Sequence, residues 1–114
     1  MTLWGLKTCD TCRKAMRALE SAGLAVELAD VRAVPPGASR LAEWYAALGA
    51  ALVNTRSTTW RGLDEATRAR AGTAEGAVAL LEEHPALMKR PVIEAGGAVH
   101  LGWSKTVEAA LTVR

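Results

Sequence analysis

A chain of 114 residues, half of them apolar and 23% charged, has the size and composition of one globular domain spanning residues 1–114, with a core that needs no staple. Its net charge of +2 gives little support for direct nucleic-acid binding. No basic stretch leads into a long apolar run, so neither a signal peptide nor a membrane span is expected. Two cysteines are too few for a disulfide framework, and a cytoplasmic, monomeric protein is the default reading.

In chain order, Thr2–Leu6 is short, apolar and bounded by polar residues, which predicts a buried strand. Ala15, Met16, Leu19 and Ala22 then recur at helical spacing before Gly23, predicting a helix over Thr11–Ala22 with Thr11 as a candidate cap. Leu24–Val31 alternates well enough for a second strand. The three together form a βαβ unit, whose crossover makes the strands parallel. Pro35-Pro36-Gly37 breaks the chain, and Ser39 is the predicted cap of a helix carrying Leu41, Trp44, Tyr45 and Leu48. Thr55–Arg61, rich in hydroxyls with two arginines and Trp60, reads as a loop.

A polar helix over Asp64–Arg70 ends near Gly72, and Thr73 caps another through Ala77, Leu80 and Leu81 that stops before Pro85. Three helical pieces are thus expected between the second strand and Pro91. Pro91–Ala95, Gly96-Gly97 and Ala98–Gly102 predict a β-hairpin, and Ser104 caps a closing helix with Val107, Ala110 and Leu111. The order βαβ, helical block, ββα predicts an α/β, thioredoxin-like fold: a mixed four-stranded sheet with a helical insertion between its halves.

The chemistry concentrates in Leu6-Lys7-Thr8-Cys9-Asp10-Thr11-Cys12-Arg13-Lys14, which holds both cysteines at the predicted strand-to-helix turn. A helix N-terminus favours an anion, and the thiolate is the nucleophilic form of cysteine. Cys9 is therefore the expected nucleophile, and Cys12, shielded one turn on, the expected resolving thiol. Lys7, Arg13 and Lys14 add cations nearby and Asp10 subtracts one. His84 and His100 lack ligand spacing with the cysteines, so no metal site is expected.

Three separated motifs, Trp4–Ala15, Leu52–Arg61 and Leu87–Ile93, together resemble the ArsC/Spx family of arsenate-reductase-like proteins, and the chain looks closest to the YffB-type branch. The resemblance covers almost the whole chain. It implies that Cys9 attacks substrate and is recycled by glutathione or glutaredoxin, with no bound cofactor. It further implies that Arg56 and Arg90 bind the oxyanion or other negative charge, and that Pro91 is the cis-proline set against the reactive cysteine. Arsenate reductases carry a further arginine near the start of the last helix, where this chain reads Leu101-Gly102-Trp103-Ser104-Lys105, so a different thiol-linked reduction is the better expectation. Cys12 matches the Spx branch instead, where a Cys-x-x-Cys switch regulates a protein that binds RNA polymerase.

An arginine suits a tetrahedral oxyanion or a carboxylate in any case, because its planar fork donates paired, charge-assisted hydrogen bonds. Lys7 is a candidate anion-steering cation, and Lys89 a weaker one. Trp4 and Trp44 read as core fillers. Trp60 and Trp103 flank the candidate site loops and are expected to wall a pocket for a thiol cosubstrate.

Overall fold

The structure, a computed structural model, describes residues 1–112. Its strands are β1 (Thr2–Gly5), β2 (Glu27–Asp30), β3 (Val92–Ala95) and β4 (Ala98–Leu101). Its helices are α1 (Asp10–Ser21), α2 (Ala38–Leu48), α3 (Thr58–Arg61), α4 (Glu65–Ala69), α5 (Ala74–Glu83) and α6 (Lys105–Thr112). Short 3-10 turns occupy Gly49–Leu52, Arg70–Gly72 and Pro85–Leu87. The chain divides into two compact units, one of Met1–Val34 with the segment from Arg90 onward, the other Pro35–Lys89.

The first unit carries the sheet, in the order β2-β1-β3-β4. β1 runs parallel to β2 and antiparallel to β3, and β3 runs antiparallel to β4, which is the mixed, thioredoxin-like sheet that the element order predicts. Leu3 stands beside Leu28 on one side and Ile93 on the other. Both Leu3 and Ile93 are fully buried, and they share a core with Cys12, Ala15 and Leu19 of α1, against which Val107 and Leu111 of α6 pack.

The spacing of Cys12, Ala15, Met16 and Leu19 explains why α1 lies on the sheet by that face while Arg13, Lys14, Arg17 and Glu20 stay exposed. Each large apolar side chain buried this way stabilises the unit by about 1.5–3 kcal/mol. The helix stops at Gly23, whose N–H reaches the Glu20 carbonyl (2.9 Å), while the Leu24 N–H returns to Leu19 (3.1 Å) and its side chain joins the core.

The second strand is shorter than the Leu24–Val31 pattern predicts. Only four residues of β1 are available to pair with it, so the ladder runs from Glu27 to Asp30, and Leu24 and Val26 are held by core packing instead. Beyond Val31, whose N–H still reaches the Gly5 carbonyl (3.0 Å), the Asp30 carboxylate accepts from the Arg32 and Ala33 N–H groups and turns the chain away.

In the second unit α2 packs against α5, and Leu41, Trp44, Ala77, Leu80 and Leu81 are buried. α2 starts two residues earlier than predicted: Gly37, not Ser39, is its N-cap, and Ser39 lies inside the first turn. The stretch Thr55–Arg61 is not all loop either. Ser57 accepts from the Trp60 N–H (3.1 Å) and so nucleates the single turn α3, which makes four helices rather than three in this unit. Thr73 caps α5 as predicted, and Asp64, expected inside the polar helix, is instead the N-cap of α4, its carboxylate accepting from the Thr67 N–H (2.7 Å). An antiparallel bridge between Val53 and Met88 brackets the unit, with Asn54 N–H on the Leu87 carbonyl (2.7 Å) and Lys89 N–H on the Leu52 carbonyl (2.8 Å).

Candidate active site

β1 ends at Gly5, and the Leu6 carbonyl accepts from the Cys9 N–H (3.1 Å), closing a tight turn with Lys7 and Thr8 exposed at its tip. Cys9 is the N-cap of α1, in extended backbone geometry, and its carbonyl accepts the first helical bond, from the Arg13 N–H (3.0 Å). The cap is therefore Cys9 and not Thr11, because the turn closes two residues earlier than a threonine cap would require. Thr11 becomes the second helical residue and Cys12 the third.

Those are the two positions whose N–H groups face an N-cap side chain. The Cys9 sulfur does not close a full side-chain cap bond, yet the surrounding donors act on it. Partial burial pushes the Cys9 thiol up. The Cys12 N–H, the Cys12 side chain, the Thr11 N–H and the Arg90 side chain pull it down, and together they win, leaving it below the usual value.

Cys12 behaves in the opposite way. It is 1% exposed, in contact with the apolar core, and burial first, then the neighbouring Cys9, push its thiol up to about 11. The two thiols are both free, not joined in a disulfide. The sulfur at the helix N-terminus is thus shifted toward the thiolate, and the one beneath it away from it.

Arg90 reaches this site through sheet register. Trp4 lies opposite Val92 in the antiparallel β1–β3 pair, which sets residues 90 and 91 beside the end of β1 where the cysteine turn begins. The Arg90–Pro91 bond is cis, Pro91 is buried, and its carbonyl accepts from the Gly102 N–H (2.8 Å). Of the other predicted cations, Arg13 pairs with Asp10 across one helical turn, on side chains that are largely exposed, so the pair contributes little stability and directs that charge to the carboxylate. Lys7 is exposed at the tip of the turn.

Arg56 and Trp60 belong to the second unit. The Arg56 N–H bonds the Asn54 side chain (3.1 Å), and its carbonyl accepts from Arg61 (3.1 Å). Arg68 bonds the carbonyls of Trp60 (3.1 Å) and Arg61 (2.8 Å), so Arg61 and Arg68 serve the backbone of this segment. The exposed Arg56 lines a cavity of about 300 Å³ with Ala51, Val53, Asn54, Thr55 and Lys89, which gathers two cations and no acid. Lys89, weighed lightly in the sequence, shares this cavity through the Val53–Met88 bridge. Trp60 is half-buried on α3, and Trp103 packs against the core of the first unit.

One site residue escapes sequence reasoning altogether. A Cβ built on Gly5 would collide with the Cys12 sulfur, so the last residue of β1 has to be a glycine for that sulfur to sit where it does. Its only signal in the sequence is a glycine closing an apolar strand four residues before a cysteine.

Comparison with known proteins bears on the whole chain. A Haemophilus influenzae protein of uncharacterized function is 35% identical over 106 residues, 92% of each chain. A solved YffB protein is 34% identical, with a TM-score of 0.91 and 98% of each chain covered. An arsenate reductase (ArsC) related protein from Brucella melitensis is 31% identical at a TM-score of 0.75, over 96% of this chain and 91% of that one. The family model that matches residues 4–110 takes in both units and the Cys9, Arg56 and Arg90 positions alike, and on that match the chain belongs to the ArsC family.

Proposed function

We propose that the protein is a thiol-disulfide oxidoreductase that reduces glutathione-linked substrates through Cys9. The observation that carries this reading is the placement of a free, half-buried Cys9 at the N-cap of α1, where the surrounding donors lower its ionisation, above a fully buried Cys12 whose ionisation is raised. In the first step the Cys9 thiolate attacks the glutathione sulfur of a mixed disulfide. A Cys9–glutathione disulfide forms, and the substrate leaves as a thiolate that takes a proton from water. In the second step a glutathione thiolate attacks the adduct sulfur, releasing oxidised glutathione and restoring the Cys9 thiolate. Arg90 binds negative charge beside Cys9, and Arg56 supplies a second cation for the carboxylates of glutathione. Glutaredoxin is the alternative source of the second thiol, and the cytoplasm is the compartment where either reductant is abundant.

The test is turnover of the mixed disulfide of glutathione and 2-mercaptoethanol. Wild type is expected to form a glutathione adduct on Cys9, seen by intact mass, and to release oxidised glutathione. Cys9→Ser should lose both, by about a thousandfold or more in rate. Full turnover in Cys9→Ser would refute the reading.

A further inference from the structure

Two segments far apart in the chain meet at the Val53–Met88 bridge, and each carries a cation to the same cavity of the second unit. Their anchor is firm. Leu52 and Leu87 are fully buried, Val53 and Met88 nearly so, and the main-chain bonds from Asn54 to Leu87 and from Lys89 to Leu52 clamp the segments together. Lys89 follows directly on one segment, and the turn begun by Asn54 carries Thr55 and Arg56 on the other. The side-chain oxygen of Asn54 is already taken by the Arg56 N–H (3.1 Å), so what this residue has left to offer the cavity is its amide N–H groups. The Arg56 guanidinium and the Lys89 ammonium can only donate. Among the described residues neither of these two meets a carboxylate, whereas Arg13 and Arg70 are paired with Asp10 and Glu83, and Arg61 and Arg68 bond backbone carbonyls. Two like charges lining one cavity that holds no acid repel each other until an anion enters.

We propose that Lys89 is a ligand-binding residue that shares one carboxylate of glutathione with Arg56, in a cavity to which Asn54 adds a neutral donor. Arg56 supplies the planar fork that holds two oxygens side by side, and Lys89 the compact charge that meets the same group from the other segment. A carboxylate on a longer ligand suits the site better than a free tetrahedral oxyanion. The cavity of about 300 Å³ is at the lower end of small-molecule sites, with room for the end of a peptide, and a bare oxyanion would leave most of it to water. Both cations are exposed, so each contact is screened, and selectivity comes from their sum and from the absence of an acid that competes for them. The inference rests on the reading of the protein as a glutathione-linked reductase, and it adds which group of that ligand is recognised and by which residues.

The experiment is calorimetric titration of S-methylglutathione, whose capped sulfur cannot react, into wild type, Lys89→Met, Lys89→Arg and Asn54→Asp, repeated with the dimethyl ester of the same ligand. Lys89→Met keeps the apolar stem and removes the charge. Asn54→Asp keeps an acceptor for the Arg56 N–H, and with it the turn, but sets a negative charge in the cavity. Each of these two should weaken binding of the free acid by about three- to tenfold, while Lys89→Arg stays near wild type. The ester should bind wild type more weakly than the acid does and should not distinguish wild type from Lys89→Met. The proposal is overturned if S-methylglutathione does not bind wild type, if Lys89→Met binds the acid as tightly as wild type, or if it loses as much affinity for the ester as for the acid. It is also overturned if inorganic phosphate, at equal ionic strength, displaces the ligand from wild type as effectively as free glutathione does. Mixed-disulfide turnover is followed in parallel. Carboxylate-dependent binding that Lys89→Met weakens, in a protein with no turnover, would uphold this site and refute the reductase reading, while turnover whose KM is unchanged in Lys89→Met and Asn54→Asp would do the reverse.

Discussion

At the scale of single residues the site is an arrangement of donors around one sulfur, and their order of influence is itself a prediction. The Cys12 N–H and side chain act on Cys9 more strongly than the Thr11 N–H, and Arg90 least of the four. All four act as hydrogen-bond donors to the Cys9 sulfur, and the Arg90 side chain is the weakest of them. Arg90→Gln, which keeps polarity and removes charge, should therefore raise the Cys9 alkylation midpoint by only a few tenths of a unit, about a twofold loss of rate at neutral pH, less than Cys12→Ala produces. Its larger effect should fall on KM for an anionic substrate, because the lost fork is a binding group. Steady-state kinetics on the same variant would separate the two: a kcat loss far exceeding the KM change would mean that Arg90 acts on the thiolate and not on the ligand.

At the scale of elements, the two short turns that carry the proposed site residues are each held by a few local hydrogen bonds. The cysteine turn hangs from β1 through the Leu6 carbonyl. The Arg56 turn depends on Ser57, whose hydroxyl donates to the Asn54 carbonyl (2.9 Å) while accepting from the Trp60 N–H (3.1 Å), so one side chain ties the loop to α3. Ser57→Ala removes both bonds and should cost about 1 kcal/mol of stability, visible in denaturant unfolding. If Arg56 is the carboxylate-binding cation, the same variant should raise KM severalfold and leave the Cys9 alkylation profile unchanged. An altered profile with an unchanged KM would place Ser57 in a different role. Ser57 was read in the sequence as one hydroxyl among several, and the cap became legible only with the turn from Asn54 in place.

At the scale of the whole molecule the buried thiol links stability to alkaline pH. The unfolded Cys12 ionises near its usual 9.0, while the folded one holds its proton to about 11, so the stabilisation of the folded state by burying a neutral thiol is full below pH 9. It drains as pH rises from 9 to about 11, by up to about 3 kcal/mol. Cys9 works in the other direction and outside this window: its lowered folded value stabilises the fold above pH 9 and loses that effect as pH falls through it. The stability gap between wild type and Cys12→Ala, measured by denaturant unfolding, should therefore narrow between pH 9 and 11; a constant gap would show that Cys12 is not held neutral. The amino-acid sequence by itself determined what depends on neighbours within about four residues: the apolar strand before the cysteines, the face of α1 that packs, the caps at Thr73 and Ser104, and the hairpin at Gly96-Gly97. It also placed Cys9 ahead of Cys12 as the more thiolate-like of the two, because that follows from helix polarity alone. Only the tertiary structure decided that β2 shortens to match β1, that Arg90 comes beside Cys9, and that Gly5 lies under the Cys12 sulfur. Each of these is set by strand register or by core packing between segments far apart in the chain, and such contacts leave no periodic or capping signal in the residues that make them.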